Sequence, residues 1–240
     1  YNPAAVGRAV IFASFSGAAT SLVTSATPAT LLNGSFRWMP GSAKALDAFL
    51  GTVGGWFGLL WGSYPGAIGE TFSIVILLVG IILAVRKVID WRIPVCYLGG
   101  IFIITAAIAL IAGIDSYNGI PAFIWYPMIH LFTGGVIFGA VFMLTDPVTI
   151  PTVPAGKVFF ALCAAAITVL IRMKGHYPEG CLYSILIMNT FTPMIESALD
   201  GPQLKQKSKA WIMAACALAA GLGIAFYAAN TVKPVNTAPK

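Results

Sequence analysis

The chain has 240 residues, of which 58% are hydrophobic and only 9% are charged, with a formal net charge of +6. Soluble domains carry about 25% charged residues, so a soluble fold of this size could not cover its surface with the charges present. The basic residues lie in short runs between apolar stretches, which excludes nucleic acid as a partner and indicates contact with lipid headgroups.

A transmembrane helix needs about 20 consecutive apolar residues. The sequence holds about seven such stretches, so we predict an all-α, polytopic transmembrane helical bundle, one domain over residues 1–240. The predicted spans are Ala4–Val23, Ala67–Val85, Ile93–Gly113, Phe123–Leu144, Lys157–Arg172, Cys181–Leu199 and Trp211–Val232.

Two segments between the first and second spans differ from the rest. Ala48–Gly62 is apolar but short and rich in glycine, which is typical of a re-entrant segment or of a broken helix that lines a cavity. Thr24–Gly41 is dominated by small polar residues, glycine and proline, and it indicates an ordered extramembrane loop. The chain starts abruptly at Tyr1 without a visible signal peptide, so we expect an N-terminal portion to precede it.

The basic loops predict the orientation of the bundle in the cell membrane. If the spans alternate, three loops share one side, which the positive-inside rule makes cytoplasmic: Arg86–Arg92, Asp146–Gly156 and Gly201–Lys209. Thr24–Gly41 and Ile114–Ala122 then face outward, and Arg172 is expected in another outer loop.

Ionisable residues at membrane depth are costly, so each is a functional candidate. Glu70 precedes an apolar run, where a carboxylate either caps the helix or takes part in function. Asp146 is followed by Pro147, which favours a break in the helix and exposes carbonyl oxygens. Carboxylate, hydroxyl and carbonyl oxygens are the ligands that cations prefer, and a polar helix-ending turn is the alternative for Asp146.

Four further polar residues lie in or near predicted spans. Glu179 opens a span within a turn, and Asn189 is expected to hydrogen-bond to a neighbouring helix. Glu196 is close to the end of the same span, where a surface position is sufficient to explain it. His130 is more readily a hydrogen-bonded packing residue than a ligand or proton relay.

No motif of a soluble enzyme is present, since the sequence lacks a P-loop, a nucleophile elbow and an H-E-x-x-H zinc motif. The four cysteines are widely spaced in apolar runs without a C-x-x-C pair, which favours packing over metal or iron–sulfur ligation.

Several unusual segments occur together in one known family. The chain resembles the membrane subunits RnfD, of the Rnf complex, and NqrB, of the sodium-pumping NADH:quinone oxidoreductase, with RnfD favoured. The matching segments, in family order, are Asn2–Ala4, Thr24–Pro28, Gly66–Thr71, Trp91–Val95, Gly139–Thr149, Ile171–Arg172 and Tyr177–Gly180.

This resemblance implies a ten-helix subunit with a urea-transporter-like inverted repeat, of which the first helices would precede Tyr1. It implies FMN attached as a phosphoester to the threonine that closes an [S/T]-G-A-T-like motif, which here is Thr27, with Thr24 and Ser25 beside it. Ser25 stands where the family usually has glycine. A non-covalent riboflavin also occurs in the family, but no residue here gives its position.

The same resemblance implies electron transfer coupled to Na⁺ or H⁺ transport in a complex with an FMN-bearing small subunit and iron–sulfur subunits. Asp146, Glu70 and Glu179 are then candidates for the ion pathway or for flavin support. The alternatives are a urea-transporter-like solute channel or transporter without flavin, and a structural anchor for soluble redox partners.

Overall fold

A computed structural model describes residues 1–14, 27–66, 69–175, 180–199 and 203–235. Within these ranges the ordered elements are helices and no β-strand forms, which confirms the predicted all-α class. The helices are α1 (Pro3–Ser14), α2 (Pro28–Gly34), α3 (Ala43–Val53), α4 (Gly55–Trp61), α5 (Ser73–Val85), α6 (Arg92–Ile111), α7 (Ala122–Phe132), α8 (Val136–Met143), α9 (Pro154–Lys174), α10 (Cys181–Leu199) and α11 (Gln203–Thr231).

Three described helices are long and apolar enough to cross a membrane: α6, α9 and residues Trp211–Thr231 of α11. A fourth crossing is formed if α7 and α8 together make one span. The chain is therefore a polytopic helical membrane protein. Fewer helices meet these criteria than the seven predicted. Among the other four spans, α5 has only 13 residues, Phe123–Leu144 is divided in two, and α10 has 19 residues but is not among the helices that meet the criteria. The span Ala4–Val23 is described only as far as Ser14.

The centre of the bundle is formed by α6, α9 and α11, which pack against one another. Small residues allow their backbones to approach closely. A Cβ atom placed on Gly100 of α6 would lie 2.9 Å from Ala165 of α9, and one placed on Gly221 of α11 would lie 2.7 Å from Ile104 of α6. Such contacts drive helix association in lipid, where apolar side chains gain little from leaving the hydrocarbon.

The helix formed by α7 and α8 is broken at Thr133–Gly135 and bends by 73°. Gly134 in this break has φ = +75°, a backbone conformation that glycine adopts without strain. Residues Gly139–Met143 of α8 wind as a π-helix. The short helix α5 packs beside α8, with Gly80 of α5 against Val141. The result is a pair of adjacent half-length helices.

The polar ends of the bundle agree with the predicted pairing of loops. At one end, which we call the basic end, Lys157 donates to Asp90 at 2.9 Å and Thr152 donates to Glu196. At the other end Tyr117 donates to Asp47 at 2.6 Å. Two of the three loops predicted to be cytoplasmic, Arg86–Arg92 and Asp146–Gly156, therefore lie at the basic end, whereas the third, Gly201–Lys209, is helical from Gln203 onward and lies outside the described residues before it.

The segment predicted to be an extramembrane loop, Thr24–Gly41, is in fact part of the core where the structure describes it. It contains α2, and the side chains of Phe36, Trp38 and Met39 are fully or almost fully buried. The segment is thus not an open loop at α2 and in the apolar cluster that follows it, whereas its position outside the membrane stays a prediction.

The segment Ala48–Gly62 is a broken helix, as one of the two interpretations predicted. Helices α3 and α4 meet at Gly54, which has φ = +75° and ends α3. Gly62 ends α4 in the same left-handed conformation.

Candidate functional site at the broken helix

Glu70 lies at the break of the α7–α8 helix, on the side of α8. Its carboxylate forms an ion pair with the guanidinium of Arg8 in α1. The same carboxylate lies against Gly135, since a Cβ atom on that glycine would be 2.9 Å from Glu70 Cδ and 3.0 Å from both carboxylate oxygens. Only 12% of the Glu70 side chain and 24% of the Arg8 side chain are exposed. The pair is thus a largely buried ion pair.

Two helix N-termini lie near this carboxylate, one in space and one in sequence. Gly135 is the residue before α8, and α5 begins at Ser73, three residues after Glu70. Unpaired N–H groups at a helix N-terminus stabilise nearby negative charge. Glu70 is not in the first turn of α5, where Phe72 is the N-cap residue, so the first of the two alternatives, a cap of its own helix, does not apply. Its carboxylate is paired instead with the Arg8 guanidinium and lies against Gly135, at the start of α8.

Arg172 occupies the opposite side of the break. Its guanidinium donates to the carbonyl oxygen of His130, and to that of Thr133 at 2.8 Å. These carbonyls belong to the C-terminal end of α7, where a cation is favoured. Arg172 is 1% exposed. The expectation that it lies in an outer loop was wrong, because its charge is stabilised by the broken helix and does not require water.

Aromatic residues surround the Arg172 guanidinium. Its central carbon lies 4.2 Å from the ring centroid of Trp38, in cation–π geometry. The rings of Trp38 and His130 are 5.1 Å apart. Tyr126 holds the segment in place by donating to the Trp38 carbonyl at 2.9 Å. Trp38 itself has φ = +58°, an uncommon conformation for a bulky residue.

His130 is fully buried, but neither of its ring nitrogens has a hydrogen-bond partner in the described residues. The expected packing role is confirmed by its ring contacts, although its ring nitrogens make no hydrogen bond of ordinary geometry within the described residues. Its ring packs between Trp38 and Tyr126. The hydrogen bond to Arg172 uses the backbone carbonyl of His130 and does not involve the ring.

Asp146 follows α8 at the basic end and forms a polar turn. Its carboxylate accepts a hydrogen bond from the Val148 N–H at 3.3 Å and from the Thr149 hydroxyl at 3.2 Å. No hydrogen bond or ion pair joins Asp146 to Glu70 among the described residues. The geometry is that of a helix-ending turn, and a role of Asp146 in ion passage stays a prediction.

Thr27 is the residue before α2. Its hydroxyl accepts a hydrogen bond from the Thr30 N–H at 3.3 Å and lies 2.8 Å from the Thr30 hydroxyl. Pro28 fixes the first turn of the helix. Thr27 is partly exposed. Thr24, Ser25 and Glu179 lie outside the described residues.

The two polar residues of α10 named in the sequence analysis, Asn189 and Glu196, have different surroundings. Asn189 is 8% exposed, and neither atom of its amide group has a hydrogen-bond partner in the described chain. The predicted interhelical hydrogen bond is therefore wrong. Glu196 accepts hydrogen bonds from the backbone N–H of Thr152 at 2.9 Å and from its hydroxyl at 3.0 Å. It joins the end of α10 to the loop before α9.

An ion-pair cluster at the basic end was not predicted. Asp90 accepts from Lys157 at 2.9 Å and from Arg92 at 3.4 Å, and also from the Arg92 backbone N–H at 3.1 Å. Partial burial raises the pKa of the Asp90 carboxyl, but the hydrogen bonds and charges of Lys157 and Arg92 outweigh it and lower the pKa below its ordinary value.

Sequence reasoning missed three residues of the site: Arg8, Trp38 and Arg172. Arg8 interrupts an apolar run, and an arginine inside a predicted span was the available signal for a buried ion pair. Arg172 was also at the end of a predicted span. Trp38 gave no signal, because its position depends on contacts with residues about 90 and 130 positions later in the chain.

Comparison with known proteins adds to this geometry. The family described as NQR2, RnfD, RnfE matches residues 1–205 of the chain. One relative is the subunit designated D in the proton-translocating ferredoxin:NAD(+) oxidoreductase complex of Clostridium ljungdahlii. It is 40% identical over 206 residues, which is 82% of this chain and 58% of that protein. Its counterpart in the Na(+)-translocating ferredoxin:NAD(+) oxidoreductase complex of Acetobacterium woodii is 39% identical over 204 residues, with coverage of 81% and 56%.

A third relative is the subunit designated B in the Na(+)-translocating NADH-quinone reductase of Chromohalobacter salexigens. It is 32% identical over 217 residues, which is 87% of this chain and 49% of that protein. The chain thus spans about half the length of the curated relatives it matches.

Proposed function

Because the chain belongs to the NQR2, RnfD, RnfE family, we propose that it is the membrane subunit of an ion-translocating oxidoreductase complex. In this proposal electrons pass through FMN bound covalently to Thr27, and their transfer is coupled to the transport of Na⁺ or H⁺. Family membership is the observation that carries the proposal. The relatives bear the names of ferredoxin:NAD(+) oxidoreductase and NADH-quinone reductase subunits, which supports RnfD-type or NqrB-type chemistry.

The surroundings of Thr27 fit a phosphoester. The hydroxyl oxygen is partly exposed and points at the start of α2, where the Thr30 N–H and hydroxyl are within hydrogen-bond distance. Both Thr30 groups can donate to phosphate oxygens, so the negative charge of the phosphate would be stabilised there. Bound FMN would supply one- and two-electron transfer, while the chain positions it and shields it from water.

We place Thr24 and Ser25 beside the flavin, in accordance with the family motif. The loop lies on the outer side of the cell membrane in this proposal, because the clustered basic residues face the cytoplasm at the other end of the bundle. The NAD-binding and iron–sulfur sites belong to partner subunits, together with a second, FMN-bearing small subunit.

Glu70 is the residue we propose for ion passage. It is a carboxylate at the break of a transmembrane helix, and its charge is balanced by Arg8. A cation or proton that reaches Glu70 would compete with Arg8 for the same oxygens, so binding would release the arginine from the pair. Asp146 is a second candidate, nearer the basic end, and Glu179 a third.

The flavin proposal is tested by ultraviolet fluorescence of the denatured subunit in a gel. The complex is purified from cells with an active flavin transferase, in wild-type form and with Thr27→Ala or Thr30→Ala. We expect wild type and Thr30→Ala to fluoresce and Thr27→Ala to be dark. A dark wild-type band would refute covalent flavin and promote the solute channel; fluorescence retained in Thr27→Ala would place the flavin elsewhere.

The ion proposal is tested by Glu70→Gln in the complex reconstituted into vesicles, with Glu196→Gln as the matched control. Glutamine keeps the size of the side chain but removes the charge that balances Arg8. We expect Glu70→Gln to keep its flavin fluorescence and lose redox-driven ion uptake, while Glu196→Gln keeps both. Uptake by Glu70→Gln at the wild-type rate would contradict the role of Glu70.

A further inference from the structure

Three buried polar side chains meet at the end of α7 without hydrogen-bond partners in the described residues. The unpartnered atoms are Trp38 Nε1, both ring nitrogens of His130, and Thr133 Oγ1. Trp38 is 1% exposed, and His130 and Thr133 are 0% exposed. Buried polar groups are almost always paired, with protein or with ordered water, because an unpaired one loses its hydration without compensation.

The three side chains are close to one another. The rings of Trp38 and His130 are 5.1 Å apart and inclined by only 30°. Thr133 follows His130 by three residues and is the extended residue at which α7 ends. Arg172 ties the group together, since it covers the Trp38 ring and binds the backbone carbonyls of both His130 and Thr133.

The donors and acceptors fit a small neutral ligand. The Trp38 indole only donates, the Thr133 hydroxyl donates and accepts, and a neutral His130 ring offers one donor and one acceptor. A metal cation is disfavoured, because the indole N–H has a partial positive charge and the neighbouring Arg172 guanidinium has a full one. Water accepts from the indole and still donates to the histidine or the threonine, which gives it the two to four partners that a buried water needs.

We propose that Trp38, His130 and Thr133 bind ordered water in the break between α7 and α8. The water accepts a hydrogen bond from Trp38 Nε1 and bridges it to the Thr133 hydroxyl and the His130 ring. It thereby fixes the segment after α2 to the end of α7, next to the carbonyls held by Arg172. This proposal does not depend on the flavin or on ion transport.

The test is the hydrogen-bonding state of the Trp38 indole N–H, measured by ultraviolet resonance Raman spectroscopy of the assembled complex. The spectrum of Trp38→Phe is subtracted from that of wild type to isolate Trp38. We expect a hydrogen-bonded N–H. We also expect Thr133→Val to shift the band toward a free N–H, whereas the control Thr105→Val leaves it unchanged, because the Thr105 hydroxyl donates to the Ile101 carbonyl instead.

A free indole N–H in wild type would overturn the proposal. If the Trp38 N–H is hydrogen-bonded but its band is identical in wild type and Thr133→Val, the proposal that Trp38 and Thr133 bind the same water is overturned as well. If Trp38→Phe does not assemble, the difference between wild type and Thr133→Val decides, because valine matches threonine in shape and removes only the hydroxyl. A thermal measurement adds a second criterion: loss of a water-bridged hydroxyl lowers the folding equilibrium constant about fivefold, whereas removal of a dry, unpaired hydroxyl raises it.

Discussion

Replacement of Gly135 by alanine tests whether the position of the Glu70 carboxylate matters. Gly135 has φ = −79° and ψ = 22°, so alanine strains the backbone little. The added Cβ atom would lie 2.9 Å from Glu70 Cδ, whereas ordinary contact begins at 3.4 Å. The carboxylate must therefore retreat by about 0.5 Å, away from the start of α8. Because it is the end of a side chain held by Arg8, we expect a cost at the lower end of the range for overpacking, about 1 kcal/mol.

The assay for Gly135→Ala combines thermal unfolding of the complex in detergent with redox-driven ion uptake in vesicles. We expect a lower unfolding temperature and slower uptake, with unchanged flavin fluorescence. Gly99→Ala in α6 is the matched control, because no atom lies within 4 Å of the added Cβ. Alanine there should be neutral or stabilising by about 0.5–1 kcal/mol. If Gly135→Ala matches Gly99→Ala in both assays, the tight contact between Glu70 and the helix break is refuted.

Two further substitutions test the charged groups on either side of the bundle. Arg172→Lys keeps the charge, but an ammonium group cannot bind the carbonyls of His130 and Thr133 as the planar guanidinium does. We expect it to lower the free energy of unfolding by about 1.5–3 kcal/mol, against about 0–1 kcal/mol for the surface control Arg92→Lys. Equal unfolding temperatures of the two variants would contradict the capping role of Arg172. Asp90→Asn should destabilise the protein at neutral pH. Because the folded pKa of Asp90 lies below its ordinary 3.8, its stabilisation is fully present above about pH 3.8 and is lost as the pH falls through the folded pKa. The difference between Asp90→Asn and wild type in pH-dependent unfolding should therefore vanish at low pH, and a difference independent of pH would contradict the ion pair.

The apolar runs were sufficient to predict the class of fold and the long helices. Arg92–Ile111 and Cys181–Leu199 agree with their predicted spans within two residues at each end. For Arg92–Ile111 the reason is that an apolar run of about 20 residues has one stable arrangement in a bilayer. The predicted pairing of the loops at the basic end also agrees with the contacts of Asp90 and Lys157.

The break between α7 and α8 was not predicted, because the apolar residues on both sides of it outweighed the turn signal of Gly134-Gly135 within the run Phe123–Leu144. Residues distant in sequence stabilise the break: Arg172 binds the carbonyls at the end of α7, and Glu70 lies against the start of α8. For the same reason the sequence marked Glu70 as a candidate but gave neither its Arg8 partner nor the cluster around Trp38. Long-range pairing of charges depends on the packed fold, which a local pattern does not contain.

The central claim is that the Thr27 hydroxyl carries the flavin through which electrons pass. It is tested most directly by the mass of the tryptic peptide Ala9–Arg37, which contains Thr27 between two arginine cleavage sites. The account predicts a peptide heavier by FMN minus one water, with fragment ions that assign the added mass to Thr27. An unmodified Ala9–Arg37 peptide, from cells in which the flavin transferase is active, would contradict it.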